Sequence, residues 1–167
     1  MSVPTGQPWP LAEIDPVRRL RVLSAAVPGI AIVERIIPLP FETVWTVASD
    51  LEHELPRPGG HIRSFQIVQT DGDRFEALVR GQGGLPDRFA GVLRPGWCWM
   101  QGRRIVAGMA AVPVAEGTLF AIAGGLRLPG AALLLPFTER SVVNLLNRLE
   151  RRFWEREHGG SVARPHR

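Results

Sequence analysis

The 167-residue sequence predicts an α+β domain, an antiparallel sheet bracketed by helices. Three observations predict it. A β-branched run from Ile30 to Ile37 ends at Pro38 and Pro40 and passes at once into an amphipathic segment carrying Val44, Trp45 and Val47. Asp71-Gly72 stands between two strand-like runs, a strong two-residue turn signal. Val142, Leu145, Leu146, Leu149 and Phe153 recur at the spacing of one helical face, a single apolar stripe near the C-terminus.

Composition sets the bounds. The chain has the length of one domain, and 45% of its residues are hydrophobic, a globular rather than a disordered composition. The 18 glycines and 15 prolines, many between short apolar runs, suit strands and turns. All 20 cations are Arg, with no Lys at all, against 16 Asp and Glu. A net charge of +4 with no lysine reflects coding bias more than selection for phosphate contacts. Cys98 is the lone cysteine, so no intramolecular disulfide is predicted. Residues 1–10 lack a basic segment followed by an apolar one, and the apolar window 118–136 is interrupted by Arg127, Pro129 and several glycines. Neither a secretory leader nor a membrane span is predicted, and a cytoplasmic location is the default expectation.

The elements follow in order. Residues 1–15 read as an extended arm with Pro4, Pro8 and Pro10, and Asp15-Pro16 starts a helix that Pro28-Gly29 ends. In that helix Val17, Leu20 and Leu23 share one face, with Arg18, Arg19 and Arg21 mostly opposite. A strand over 30–37 and a helix from Phe41 to about Leu51 come next, then a Pro/Gly-rich connection. With Asp71 and Gly72 central, the first hairpin pairs Val68 with Phe75, Gln66 with Ala77 and Ser64 with Val79. Ile62, Ser64, Gln66, Val68, Phe75, Ala77 and Val79 then face inward, away from the charges. A second hairpin around Pro95-Gly96 pairs Leu93 with Cys98 and Gly91 with Met100, placing Phe89, Gly91, Leu93, Cys98 and Met100 inward. Trp97 and Trp99 fall outward beside Arg94, whose guanidinium they flank, an arrangement typical of interfaces and predicting a homodimer or partner surface there, with the first helix as another candidate cover. A bulge at Pro95-Gly96 would reverse the faces and turn both indoles into an inner cavity. Two more strands span 105–112 and 118–126. Thr138 caps a final helix to about Glu157, which Gly159-Gly160 stops.

The segment Pro40-Phe-Glu-Thr-Val-Trp-Thr-Val-Ala-Ser-Asp-Leu51 resembles the opening of the START-like, Bet v 1-like superfamily, the SRPBCC or polyketide cyclase/dehydrase-like and lipid-transport-like proteins. Its Ala-Pro, Val-Trp and Ser-Asp-Leu signature is matched except that Leu39 replaces the commoner alanine. The order of elements from about Gly29 to Glu157 is similar too. The resemblance implies a helix-grip fold, with a bent antiparallel sheet of about six to seven strands wrapped around a long C-terminal helix. Residues 1–28 then form an added arm and helix, 29–157 the ligand-binding domain, and 158–167 a flexible tail. It also implies an apolar cavity between the sheet and the last helix. The superfamily hosts many activities, so the motif speaks for the fold more than for chemistry.

Reactive groups are thin along the chain. His53, His61, His158 and His166 are scattered without metal-ligand spacing, and no metal or cofactor is predicted. Cys98 among Trp97, Trp99 and Met100 reads as a buried inert thiol. Gly81 to Gly84 follows a strand without opening a helix, so it is a loop and not a phosphate cradle. Asp50, Glu52, His53 and Glu54 cluster at a helix end, where an acid beside a histidine suits general acid/base work, but a solvated helix end explains them better. The expected function is binding of a hydrophobic small molecule (a lipid, polyketide or aromatic compound) without catalysis. Its expected lining is Trp45, Ser64, Gln66, Phe75, Phe89, Met100, Phe120 and Leu146. The alternative is a polyketide cyclase or dehydratase in the same cavity. Nucleic-acid binding through the arginines at 18–21 and 148–156 ranks last, because Glu150, Glu155 and Glu157 interleave with the second group.

Overall fold

The computed structural model describes residues 14–84 and 86–160; the arm expected over the first residues and the tail after 160 lie outside them. The described chain runs α1 (Pro16–Ala26), β1 (Ile30–Ile37), α2 (Phe41–Ala48), α3 (Leu51–Glu54), β2 (Ile62–Asp71), β3 (Arg74–Gly81), β4 (Pro86–Arg94), β5 (Trp97–Gln101), β6 (Ile105–Val114), β7 (Gly117–Leu126) and α4 (Leu135–Gly160). A short 3-10 turn over Ala131–Leu134 leads into α4. The seven strands form one antiparallel sheet in the order β1-β7-β6-β5-β4-β3-β2. With a long helix on its inner face and an added one outside, this is the helix-grip α+β architecture. No helix among the described residues is long and apolar enough to cross a membrane.

The start of α1 has a local cause. The Asp15 carboxylate accepts from the Arg18 N–H at 2.9 Å, and Pro16 fills the first-turn position where a missing N–H costs nothing. The segment at 41–51 is two helices rather than one, because the chain leaves helical geometry at Asp50 before α3 begins. α4 begins at Leu135, four residues before the start that a Thr138 cap would give. Pro136 is tolerated in its first turn, and the Thr138 hydroxyl donates back to the Leu134 carbonyl at 3.2 Å instead of capping an N–H. At the other end the helix runs to Gly160, so the glycine pair does not stop it near Glu157, and residues 158–160 of the expected tail are helical.

The two hairpins differ in how they match the sequence. The second has the expected register, Leu93 opposite Cys98 and Gly91 opposite Met100. Pro95 followed by Gly96 at φ +73° is the pattern of a type II turn. In the first, Asp71 pairs with Arg74, so Gly72-Asp73 forms the turn one residue later than expected. The ladder then skips Val68 and, further on, Arg63. An extra residue in one strand reverses the faces beyond it. Ile67 therefore meets Ala77 and Phe65 meets Val79, while Gln66 sits opposite Leu78 and Ser64 opposite Arg80.

Two apolar layers result, one on each face of the sheet. α1 lies on the outer face, where Val17 and Leu20 pack with Trp97, Ala110, Ala121 and Ala123. The small side chains of β6 and β7 let a helix approach closely. The indole of Trp97 is thereby covered, 5% exposed, with the Arg19 guanidinium 5.4 Å from its ring centroid. Arg94, expected between the two indoles, is exposed and does not make that contact. The inner face packs on α2 and α4 and holds the main core.

Candidate functional site

The inner core gathers six of the eight expected lining residues: Trp45, Phe75, Phe89, Met100, Phe120 and Leu146 belong to one contiguous apolar cluster. Trp45 comes from α2 and stacks at 7° on Phe41, with centroids 6.3 Å apart. Phe75, Phe89, Met100 and Phe120 come from alternate positions of β3, β4, β5 and β7, the period-two faces of a sheet. Leu146 comes from the α4 stripe with Val142, Leu149 and Phe153. Ser64 and Gln66 do not join them. The Val68 bulge turns both to the exposed outer face and brings Phe65 inward instead, so the two polar anchors expected there are absent from the inner wall.

The rings meet one another in defined contacts. Phe153 meets Phe120 edge to face at 5.4 Å, and Phe65 meets Phe89 at 6.5 Å and Phe75 at 6.3 Å. Gly91 and Gly102 make room for this, since a Cβ on Gly91 would lie 2.5 Å from the Phe75 ring and one on Gly102 would lie 2.3 Å from the Phe89 ring. A groove of about 410 Å³ opens on the outer face, lined among others by Gln69, Arg74, Val92, Trp99 and Gln101. That groove is not the site expected between sheet and α4. The inner cluster is apolar, and its core members are buried between the sheet, α2 and α4. Met100 and Met109, unbranched and polarizable, are the members best able to repack.

The titratable groups nearby have other tasks. The His53 Nδ1 lies 2.7 Å from Asp50, and that hydrogen bond, with the Asp50 charge, raises the imidazole above its ordinary pKa. Its side chain is 77% exposed and borders solvent rather than the core. Glu52 accepts from the Ile67 N–H at 2.7 Å, tying α3 to β2. Glu54 is buried and takes Arg57 at 2.8 Å and Arg152 at 3.2 Å, which anchors α3 to α4. Arg148 donates to the Arg57 and Pro58 carbonyls. Its guanidinium sits below its usual pKa, chiefly through burial and then through Arg151. Buried polar side chains among the described residues are Ser24, Glu54 and Thr118. Ser24 belongs to α1, Glu54 is ion-paired, and Thr118 donates to the Leu39 carbonyl at 2.8 Å.

Cys98 faces the inner core and is fully buried. Loss of hydration of the thiolate pushes its pKa up to about 12. A thiol reagent such as Ellman's is therefore expected to leave the native protein unmodified over hours and to titrate one thiol once urea unfolds it. Immediate reaction of the native protein would mean that the core opens freely at β5.

Compared with known proteins, the chain matches no family model and no curated protein sequence. Solved structures do match. The protein TTHA0849 from Thermus thermophilus superposes with a TM-score of 0.58 at 23% identity, over 75% of this chain and 97% of that one. A norcoclaurine synthase from Thalictrum flavum gives 0.57 at 14% identity, over 77% of this chain and 95% of that one. The Zhui aromatase/cyclase of a Streptomyces species gives 0.55 at 14% identity, over 76% and 95% respectively. These likenesses establish the fold alone: the chain has the helix-grip architecture of these structures.

Proposed function

We propose that this protein is a cytoplasmic, non-catalytic binder of a hydrophobic small molecule (a lipid, polyketide or aromatic compound), held between the sheet and α4. The observation that carries the proposal is the chemistry of the inner cluster. It is built from Phe, Trp, Met and aliphatic side chains, and the nearest acid and base groups are ion-paired or turned to solvent. Such a volume rewards apolar burial at about 25 cal/mol per Å² and offers nothing to move a proton. Of the expected lining residues, Trp45, Phe75, Phe89, Met100, Phe120 and Leu146 remain the candidates for contact with the guest. Many arginines are engaged within the chain, Arg21 with Glu34, Arg35 with Glu150 and Arg152 with Glu54, which weighs against nucleic acid as a partner. A homodimer through Trp97 and Trp99 has little free surface at Trp97, which α1 covers.

Native mass spectrometry of the purified protein tests the proposal, reading bound mass and oligomeric state together. An apolar adduct or a bound long-chain acyl or polycyclic aromatic probe is expected, with binding lost in Leu146→Trp, whose indole takes up the guest's space. A protein that carries no adduct and binds neither class of probe would overturn it. The second reading, a cyclase, draws on the likeness to an aromatase/cyclase and to norcoclaurine synthase. Its remaining acid/base candidate is the His53–Asp50 pair. Turnover of a small poly-β-keto substrate that disappears in His53→Ala would favour it over simple binding.

A further inference from the structure

Between β7 and α4 the chain carries a run of large apolar side chains that the fold leaves outside. Leu133 is 84% exposed and Phe137 is 72% exposed, and Leu128, Leu134 and Leu135 are each more than a third exposed. Isolated exposed leucines are ordinary, but five large exposed apolar side chains within ten residues are a concentration of the kind that marks an interaction surface. The patch has a firm base. Ala131 is buried and packs so tightly on Gly29 that a Cβ there would lie 2.8 Å from it, and the 3-10 turn passes directly into α4. The leucines and Phe137 are thus held out by a fixed backbone.

The charges beside the patch identify what it fits. The Arg127 N–H donates to the Arg104 carbonyl at 2.7 Å, which brings the backbones of these two exposed arginines together at the β7 end of the segment, and the Arg127 guanidinium reaches the Gln101 side chain at 3.5 Å. Arg140, one turn after Phe137, is exposed on the α4 side. Glu139 is the single carboxylate in the segment 127–140. A second copy of this chain docked through the same patch would bring these arginines against their own counterparts. Like charges at close range oppose that association and favour an anionic partner. Apolar side chains projecting from a cationic rim match a membrane surface, where tails accept the leucines and headgroup phosphates accept the guanidiniums.

We propose that the segment 128–137 is a docking tip for anionic lipid surfaces, with Leu133 and Phe137 entering the acyl boundary and Arg104, Arg127 and Arg140 meeting headgroups. The tip stands apart from interior ligand binding and is true or false independently of it. Co-sedimentation of the full chain with vesicles tests it, comparing equal parts phosphatidylglycerol and phosphatidylcholine with phosphatidylcholine alone. Partition onto the anionic vesicles and much weaker partition onto the neutral ones is expected. Leu133→Asp with Phe137→Asp should lower it about a hundredfold. Arg127→Gln with Arg140→Gln should lower it about thirtyfold on anionic vesicles only. All four side chains are substantially exposed, and an unchanged thermal transition checks that each variant folds. Absence of partition by the wild type, equal partition onto both vesicles, or full binding by the aspartate variant would overturn the proposal. So would a dimer in solution that Leu133→Asp dissociates without any vesicle binding.

Discussion

Phe153→Ala is expected to lower unfolding stability by about 3–5 kcal/mol. Phe153 is fully buried at the point where α4 meets the sheet, edge to face with Phe120, itself fully buried. Deleting the ring removes its transfer free energy and leaves a void that the facing ring cannot fill without leaving its own contacts. Urea unfolding of the variant reads the effect directly, as a lower midpoint at unchanged slope. A loss below about 1 kcal/mol would mean that α4 is loosely seated and that the grip is not closed at this position. The same variant bears on function, since the void lies in the volume proposed for the guest. If a guest enters there, an apolar probe is expected to restore part of the lost stability by mass action.

Gly117→Val is expected to cost about 3 kcal/mol or more, from backbone strain and overlap together. Gly117 has φ +134°, a conformation that L side chains rarely adopt. A Cβ there would also lie 2.3 Å from the Ile37 carbonyl oxygen and 2.8 Å from the Pro38 Cα, both backbone atoms that cannot rotate away. The consequence is concentrated at the junction from β1 to α2. Thr118, next in the chain, holds that junction by donating to the Leu39 carbonyl. Thermal unfolding followed by circular dichroism checks the expectation. A transition within a degree or two of the wild type would show that the β6–β7 turn can shift its backbone and that the junction does not depend on it.

Much of this fold is legible in the sequence, for reasons that are local. Asp15-Pro16, the prolines at 38 and 40, the Pro95-Gly96 turn and the α4 stripe each act through neighbouring residues, and each appears where local chemistry puts it. The register of the second hairpin follows from the turn alone because no bulge intervenes. The first hairpin shows where this reasoning stops. Its turn closes on Asp71–Arg74, and the bulge at Val68 is decided by packing: Phe65 and Ile67 gain the core, while Ser64 and Gln66 go to water. A period-two reading has no place for an extra residue, so it assigns the polar pair inward. The exchange is visible only when both faces are weighed together, since Phe65 and Ile67 are the more apolar set. The partner of Trp97 is hidden for a different reason. The sequence points to Arg94, its neighbour in the hairpin, whereas Arg19 reaches the indole from α1 once that helix packs on the outer face.

The bulged strand also shapes how the sheet ends. β2 lies at its edge, where a regular strand would offer a row of open N–H and C=O groups to any extended chain. Here two extra residues, Arg63 and Val68, break the repeat within one strand, and the Glu52 carboxylate occupies the Ile67 N–H. A partner strand laid along this edge would lose register twice and find a donor already taken. The irregularity that turns Ser64 and Gln66 away from the core thus leaves an edge that resists further strand addition, and with it the first step of aggregation.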